Sequence, residues 1–324
     1  MTLRRRTLLG ILLLTICSKA GSWRTPGHTE GLMLGGIRVT LLGTASGPRV
    51  HVGLAGTSTL VEAGGERLLF DAGRGFMQSL VKAGFPMSAV TKLFLTHLHS
   101  DHVIDVPDLM LMPWSAAPER KLPLQVWGPD GTRQMMRHLV QAFAFDIHVR
   151  RDVDESFSPE GIRVVANDIR VGKVYERNGV TVTAFPVTHG HVKPSYGYRL
   201  DYGGRSLAIS GDTSPSDSLV AACKGVDVLI HEAIDVDLLR RLVPDQQRRD
   251  AIVARHTTPE QAASVFRRVS PRLAVFSHSP GTPAIVEQTR RSYSGRVEMG
   301  MDLMVIDIGD DIHIRRANAE ARPQ

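Results

Sequence analysis

The stretch FLTHLHSDHVIDVPDL, residues 94–109, constrains this chain more than any other segment. The apolar run over 90–95 reads as a strand. Within the nine positions 97–105 there follow three histidines and two aspartates, His97, His99, Asp101, His102 and Asp105. A lone histidine at a strand end is usually a satisfied polar group, but four candidate ligands in the six residues 97–102 point to a cation. Imidazole nitrogen suits zinc and related first-row ions, and carboxylate oxygen completes such a site. Alternation along the extended part turns His97 and His99 the same way. Asp101 and His102 lie past the turn, where a helix can begin, and address a second point. The spacing therefore reads as two metal positions, at the end of a strand and the start of a helix.

A chain of 324 residues, 42% hydrophobic and 22% charged, has enough apolar material for one large globular domain or two small ones. Its formal charge of +6 points towards nucleic acid only until the N-terminus is read. Residues 1–22, MTLRRRTLLGILLLTICSKAGS, place three arginines before the nearly all-apolar run 8–17 and end it with Ser18-Lys19-Ala20. That is the layout of a secretory signal peptide cut after Ala20, with an apolar run too short to span a bilayer comfortably. Arg5-Arg6-Thr7-Leu8-Leu9 loosely resembles a twin-arginine export signal. The expected location is periplasmic or secreted, with no membrane span after cleavage. Loss of residues 1–20 removes Arg4, Arg5, Arg6 and Lys19, leaving 35 basic and 33 acidic residues, a net of +2. The paired arginines that remain are mostly explained by solvated faces. Only Cys223 survives cleavage, so no intrachain disulfide is available.

The remainder divides into a Gly-rich linker, 21–36, one domain, 37–310, and a C-terminal tail, 311–324. Short β-branched apolar runs recur at 37–42, 58–62, 68–71, 92–96 and 124–127, and again at 180–187, 196–200, 206–210, 226–230, 273–277 and 303–308. Gly-Gly at 64–65 and 203–204 marks hairpin turns. Helical periodicity covers 76–83, 132–143, 216–223, 259–269 and 283–293. Residues 146–178 lack clear periodicity and read as a long excursion. The halves are alike in outline, without a sequence repeat.

HLHSDH resembles the H-x-H-x-D-H motif of the metallo-β-lactamase superfamily. Three later motifs follow in the order that superfamily has them: FPVTHG with His189, ISGDT with Asp212 and VFSHSP with His278. The resemblance covers roughly residues 36–310. It implies an α/β fold of the αββα kind, two packed mixed β-sheets flanked by helices in a single domain. It also implies that His97, His99 and His189 hold one metal ion, Asp101, His102 and His278 the other, and that Asp212 bridges them. His191 competes with His189 for its place; the PVTH context favours His189. Two zinc ions are the default cofactors, with manganese or iron also accepted by such a His/Asp mixture.

LLGTASGP at 41–48 and LLFDAGRG at 68–75 are similar to the branch that contains ribonuclease Z and the zinc-dependent arylsulfatases. By that resemblance Asp71 braces a metal-bound histidine. VLIHEAI, with His231 and Glu232, and ARHTTPEQAA, with His256, resemble motifs of ribonuclease Z. They imply a proton relay to the leaving group through Glu232 and His256, with His231 as a supporting residue and Asp101 as a further catalytic group. Thr257, Thr258 and Pro259 read as a helix start.

A metal pair that bridges a water suits hydrolysis of an ester whose transition state gathers negative charge. The expected activity is hydrolysis of a small anionic ester, a sulfate or phosphate, of arylsulfatase or phosphodiesterase type. Pre-tRNA cleavage of the ribonuclease Z type ranks second. The run GPRVHVGLAGTS retains only Arg49 of that family's basic loop, His189 and Asp212 lie too close in sequence for its long tRNA-gripping arm, and an exported protein does not meet precursor tRNA. Without a basic groove the phosphate backbone loses its dominant electrostatic attraction. A lactonase and a non-catalytic metal-binding module are the remaining alternatives, and a homodimer is compatible with any of them. Trp114, Trp127, Phe143 and Phe145 are candidates for an apolar wall, and Tyr196 and Tyr198 for residues that reach the site.

Overall fold

The computed structural model describes residues 35–154, 156–279 and 282–316; the expected signal segment and the linker up to residue 34 lie outside them. Among the described residues the first six strands are β1 (Ile37–Gly43), β2 (Ser58–Ala63), β3 (Glu66–Phe70), β4 (Lys92–Phe94), β5 (Leu124–Gly128) and β6 (Val164–Asp168). The next seven are β7 (Gly172–Arg177), β8 (Val180–Pro186), β9 (Tyr196–Tyr202), β10 (Arg205–Ile209), β11 (Val228–Glu232), β12 (Leu273–Ser277) and β13 (Val297–Met299). The last two, β14 (Met304–Ile308) and β15 (Ile312–Arg315), return to the first sheet. The sheet orders are β15-β14-β1-β2-β3-β4-β5-β6 and β13-β12-β11-β10-β9-β8-β7.

Both sheets follow one plan, an antiparallel meander that turns parallel. In the first, β1, β2 and β3 alternate direction and β3 to β6 run parallel. In the second, β8, β9 and β10 alternate and β10 to β13 run parallel. The likeness of the two halves is thus one of topology. Gly64-Gly65 and Gly203-Gly204 close the corresponding hairpins, all four with positive φ (57°, 76°, 58° and 76°), as two-residue turns of this twist require. β11 and β12 are buried along their whole length, which is why VLIHE and LAVFS read as continuous runs without alternation.

Side chains of the two sheets meet in a central core where Phe94 stacks on Trp127 (centroids 4.8 Å apart) and on Phe70 (5.1 Å). Outside the first sheet pack helices Phe76–Lys82, Val106–Ser115 and Thr132–Ala142; outside the second pack Asp217–Cys223, Pro259–Val269 and Pro283–Arg290. The result is the four-layer αββα sandwich. Pro259–Val269 starts as its sequence announces, with Thr258 as N-cap in a capping box with Gln261 and Pro259 in the first turn. One buried ionic group ties the sheets together. Glu66 of β3 accepts from Tyr175 (2.8 Å) and Asn178 (2.6 Å) of the second sheet's edge and pairs with Lys92 of β4 (2.7 Å).

Several expectations change here. The excursion 146–178 contains β6 and β7, each the edge strand of its sheet; half-solvated edges carry no clean apolar alternation, which hides them in the sequence. The tail is not separate from its first residues onward, because β15 pairs with β14. Trp127, Tyr196 and Tyr198 serve the inter-sheet core, with Tyr198 donating to the Leu95 carbonyl (2.7 Å) and Tyr196 to that of Ile169 (3.3 Å). Trp114 is buried beneath the first sheet's helices with Phe143 beside the same core, and Phe145 is exposed. None of these aromatic residues forms a wall at the cluster described next.

Candidate metal centre

The carboxyl ends of β3, β4, β8, β10, β11 and β12 converge at one edge of the sandwich, where loops leaving open α/β sheets commonly bind ligands. After β4 the chain runs on through His97-Leu98-His99, and His99 is the extended N-cap of the short helix Ser100–Val103 that carries Asp101 and His102. Asp71 follows β3 and His278 follows β12, and both adopt left-handed backbone (φ 58° and 48°), an unfavourable conformation for a side-chain-bearing residue. Each turn re-aims its side chain inward.

The side chains form two groups. His97, His99 and His189 each place a ring nitrogen within 4.8 Å of the others, and Asp101, His102 and His278 do the same with their ligand atoms. Asp212 stands between them. Its Oδ2 lies 3.9 Å from His97 Nε2 and 3.8 Å from His189 Nε2, and its Oδ1 lies 3.4 Å from His102 Nε2 and 3.2 Å from His278 Nδ1. His278 Nε2 is 3.2 Å from Asp101 Oδ2. Of the two rival histidines, His189 is buried in the first group and His191 is exposed to solvent.

Outer contacts settle which nitrogen of three rings faces the cluster. His102 Nδ1 donates to Asp71 Oδ2 (2.8 Å), and His189 Nδ1 donates to the Arg255 carbonyl (3.0 Å). The Thr96 hydroxyl donates to Asp71 Oδ2 (2.9 Å) and accepts from His97 Nδ1 (3.1 Å). In each ring this leaves Nε2 facing inward, as a ligating imidazole needs. Thr96 and the Arg255 carbonyl were not anticipated from sequence, although Thr96 lies inside the FLTH segment.

Buried polar atoms are normally paired. Here His97 Nε2, His102 Nε2 and Asp212 Oδ1 are buried without a hydrogen bond among the described residues, all three aimed at the same space. The short Asp212 distances are thus close approaches rather than directed hydrogen bonds. Burial, foremost, pushes His97 well below the ordinary imidazole range and lowers His99 and His189, so that these rings are neutral donors. Burial would raise Asp101 and Asp212, but His278 and His102 outweigh it and hold both carboxyls well below their ordinary range. Neutral imidazoles and ionised carboxylates are the protonation states that bind a cation. His102 is the exception: burial would lower it, but Asp212 and Asp71 push it well above the ordinary imidazole range, so a cation at its Nε2 would displace a proton. With that exchange the donor set fits two divalent ions.

Glu232 and His256 adjoin the cluster. His256 Nδ1 lies 3.0 Å from Glu232 Oε1, and its ring centroid is 5.0 Å from that of His189 and 6.1 Å from that of His278. Burial would lower His256, but the Glu232 carboxylate pushes it up to about 9. Glu232 Oε1 also accepts from the backbone N–H of Thr213 (3.0 Å) and Thr257 (3.3 Å). Thr257 therefore does more than begin a helix: its hydroxyl donates to the Thr213 carbonyl (2.6 Å) and fastens the His256 loop to the Asp212 loop. His231, the neighbour of Glu232 on β11, points the other way. Its ring packs against Phe266 under the outer helices, away from the cluster.

Residues 66–279 match the family described as the β-lactamase superfamily domain. A ribonuclease Z from Mycobacterium avium (strain 104) is 37% identical over 286 residues, covering 84% of this chain and 98% of its own length. Among solved structures, the metallo-β-lactamase fold protein YhfI from Bacillus subtilis superposes with a TM-score of 0.65 at 18% identity, covering 84% of this chain and 99% of that one. The short form of human tRNase Z superposes with a TM-score of 0.59 at 24% identity, covering 83% and 98%. At such identities these two structures share the fold.

Proposed function

The chain belongs to the β-lactamase superfamily, and from that premise we propose that it is a metal-dependent phosphodiesterase of ribonuclease Z type, hydrolysing a phosphodiester of RNA. His97, His99 and His189 would hold one divalent cation, Asp101, His102 and His278 a second, and Asp212 would contact both; zinc is the default from the donor set. When bound, such a pair supplies a nucleophile activated at neutral pH and positive charge for the anionic oxygens of the substrate.

The protein's own residues do the rest. Asp71, Thr96 and the Arg255 carbonyl hold three imidazoles in one tautomer and orientation. Glu232, fixed by two backbone amides, anchors His256 Nδ1 and leaves Nε2 to deliver a proton to the departing oxygen. The observation that carries this reading is the contact between His256 and Glu232 beside both ligand groups. A nucleotide leaving as an alkoxide needs a proton donor, and a phenolate leaving group needs one far less.

This reverses the order of preference drawn from sequence alone. The arguments against RNA rested on the short spacing from His189 to Asp212, on the missing basic loop and on export. Against them stands the similarity to a ribonuclease Z over 98% of that protein's length, and that similarity, with the His256–Glu232 pair, supports the RNA reading. Nothing among these relatives supports a sulfatase. Export through residues 1–20 stays part of the proposal, and it would direct the activity to RNA met outside the cytoplasm. The test is turnover by the zinc-loaded protein of bis-p-nitrophenyl phosphate, p-nitrophenyl sulfate and a 3′-extended tRNA transcript, with and without chelator. Chelator-sensitive cleavage of the transcript and the diester is expected; preference for the sulfate would overturn the reading.

A further inference from the structure

Arg255 serves the cluster with its backbone and leaves its side chain unused. The carbonyl holds His189, while the aliphatic stem passes over Gly190. A Cβ at position 190 would lie 3.3 Å from Arg255 Cβ and 3.7 Å from its Cδ, and Gly190 sits at φ +57°. Glycine is thus favoured there by backbone and by space, and the arginine is kept against the His189 turn. The guanidinium Nε is buried and unpartnered, and the side chain makes no hydrogen bond or ion pair among the described residues.

Other sheltered arginines of this protein are satisfied. Arg120 donates to the carbonyls of Leu109, Met110 and Gly161, and Arg199 to Asp201 and the Ala222 carbonyl. A partly desolvated guanidinium beside a centre built for cations is unfavourable unless an anion joins it. The singly charged scissile diester would be met by the two ligand groups around Asp212. The Arg255 carbonyl holds His189 and its stem lies over Gly190, which puts the side chain on the His189 side of the cluster.

We propose that Arg255 binds a second phosphate of the substrate, the one a nucleotide away from the scissile diester, and so selects oligonucleotides over isolated diesters. The geometry that carries this is an arginine stem laid over Gly190 beside His189, ending in a guanidinium whose buried Nε has no partner among the described residues. The proposal rests on the phosphodiesterase reading, and its test separates the two.

The zinc-loaded wild type, R255K and R255M are compared on the dinucleotide ApA, which has one phosphate, and the trinucleotide ApApA, which has two. Binding of adenosine 3′,5′-bisphosphate and adenosine 5′-monophosphate is measured by calorimetry, with zinc content as the control for the His189 loop. A charge-assisted contact predicts that R255M loses about 10–100-fold in kcat/KM on ApApA, through KM, and under about threefold on ApA. It also predicts that the wild type's preference for the bisphosphate falls to parity in R255M, while R255K keeps part of both. Equal losses on the two substrates, or an unchanged bisphosphate preference at full zinc content, would overturn the assignment. If even the wild type cleaves neither substrate, the phosphodiesterase reading fails, and the calorimetry still decides whether Arg255 takes a second phosphate.

Discussion

Asp71 Oδ2 accepts from His102 Nδ1 at 2.8 Å, so a residue outside the ligand set decides which nitrogen His102 turns to the cluster. The same carboxylate receives the Thr96 amide (2.8 Å) and, through the Thr96 hydroxyl, steadies His97. Replacing Asp71 with Asn should lower zinc affinity about 10–100-fold while leaving the folded secondary structure intact. Zinc competition with a chromophoric chelator, alongside circular dichroism, measures both. Unchanged affinity would remove Asp71 from the bracing role.

Asp212 touches both ligand groups, and its loss should be felt in each. Asp212→Ala is expected to retain neither zinc ion on gel filtration and to lose turnover altogether. Metal analysis and bis-p-nitrophenyl phosphate hydrolysis test this. A variant with two zinc ions and full turnover would show that Asp212 is not shared between the groups.

Removing metal should also cost stability, because His97 Nε2 and His102 Nε2 are buried with nothing to bind. A ligand that binds only the native state stabilises it by about 2.7 kcal/mol when present at 100 times its Kd. Calorimetric scans of chelated and zinc-loaded protein should therefore differ by several degrees in Tm, the gap widening with free zinc. Coincident transitions would mean that the cluster does not take up the ion.

If His256 protonates the leaving oxygen, its removal should matter in proportion to how poor the leaving group is. His256→Ala is expected to lower kcat on an RNA substrate about 10²–10⁴-fold and to spare bis-p-nitrophenyl phosphate, whose phenolate departs unaided. Glu232→Gln should follow the same pattern more weakly. Equal losses on both substrates would place His256 in binding instead.

Acid sensitivity should trace in part to Glu66. Burial would raise its carboxyl, but hydrogen bonds from Lys92 and Tyr175 and the charges of Lys92 and Arg177 bring it below its ordinary 4.5. A lowered carboxyl contributes stability that is complete above that ordinary value and lost as pH falls through the lowered one. Urea unfolding should find Glu66→Gln less stable than wild type by about 1–3 kcal/mol at pH 7, with the difference shrinking below pH 4.5. A difference independent of pH would exclude this linkage.

Much of this centre is legible in the sequence because its ligands come from short segments with fixed local geometry. His97 and His99 share a side through strand alternation, and HLHSDH holds its spacing whatever surrounds it. What decides the outer contacts is long-range. That the Arg255 carbonyl meets His189, that Thr257 secures Glu232, and that His231 faces Phe266 depend on how loops from separate strands are set side by side. The aromatic wall was a misreading of the same kind. Trp127, a wall candidate, and Tyr198, a candidate to reach the site, carry indole and hydroxyl groups that look available in sequence, but the two sheets need their bulk to fill the space between them. Substrate preference was read from segments that are missing, the arm and the basic loop, and a missing segment constrains chemistry less than a proton donor in place.

Asp71, His97, His99, Asp101 and His102 precede the passage from β6 to β7, and His189, Asp212, Glu232, His256 and His278 follow it. Neither half of the polypeptide owns the whole set, so under the proposed two-metal assignment full coordination would require both sheets to be made and docked. Full occupancy would then certify finished assembly: a chain holding both ions would have brought its two halves together.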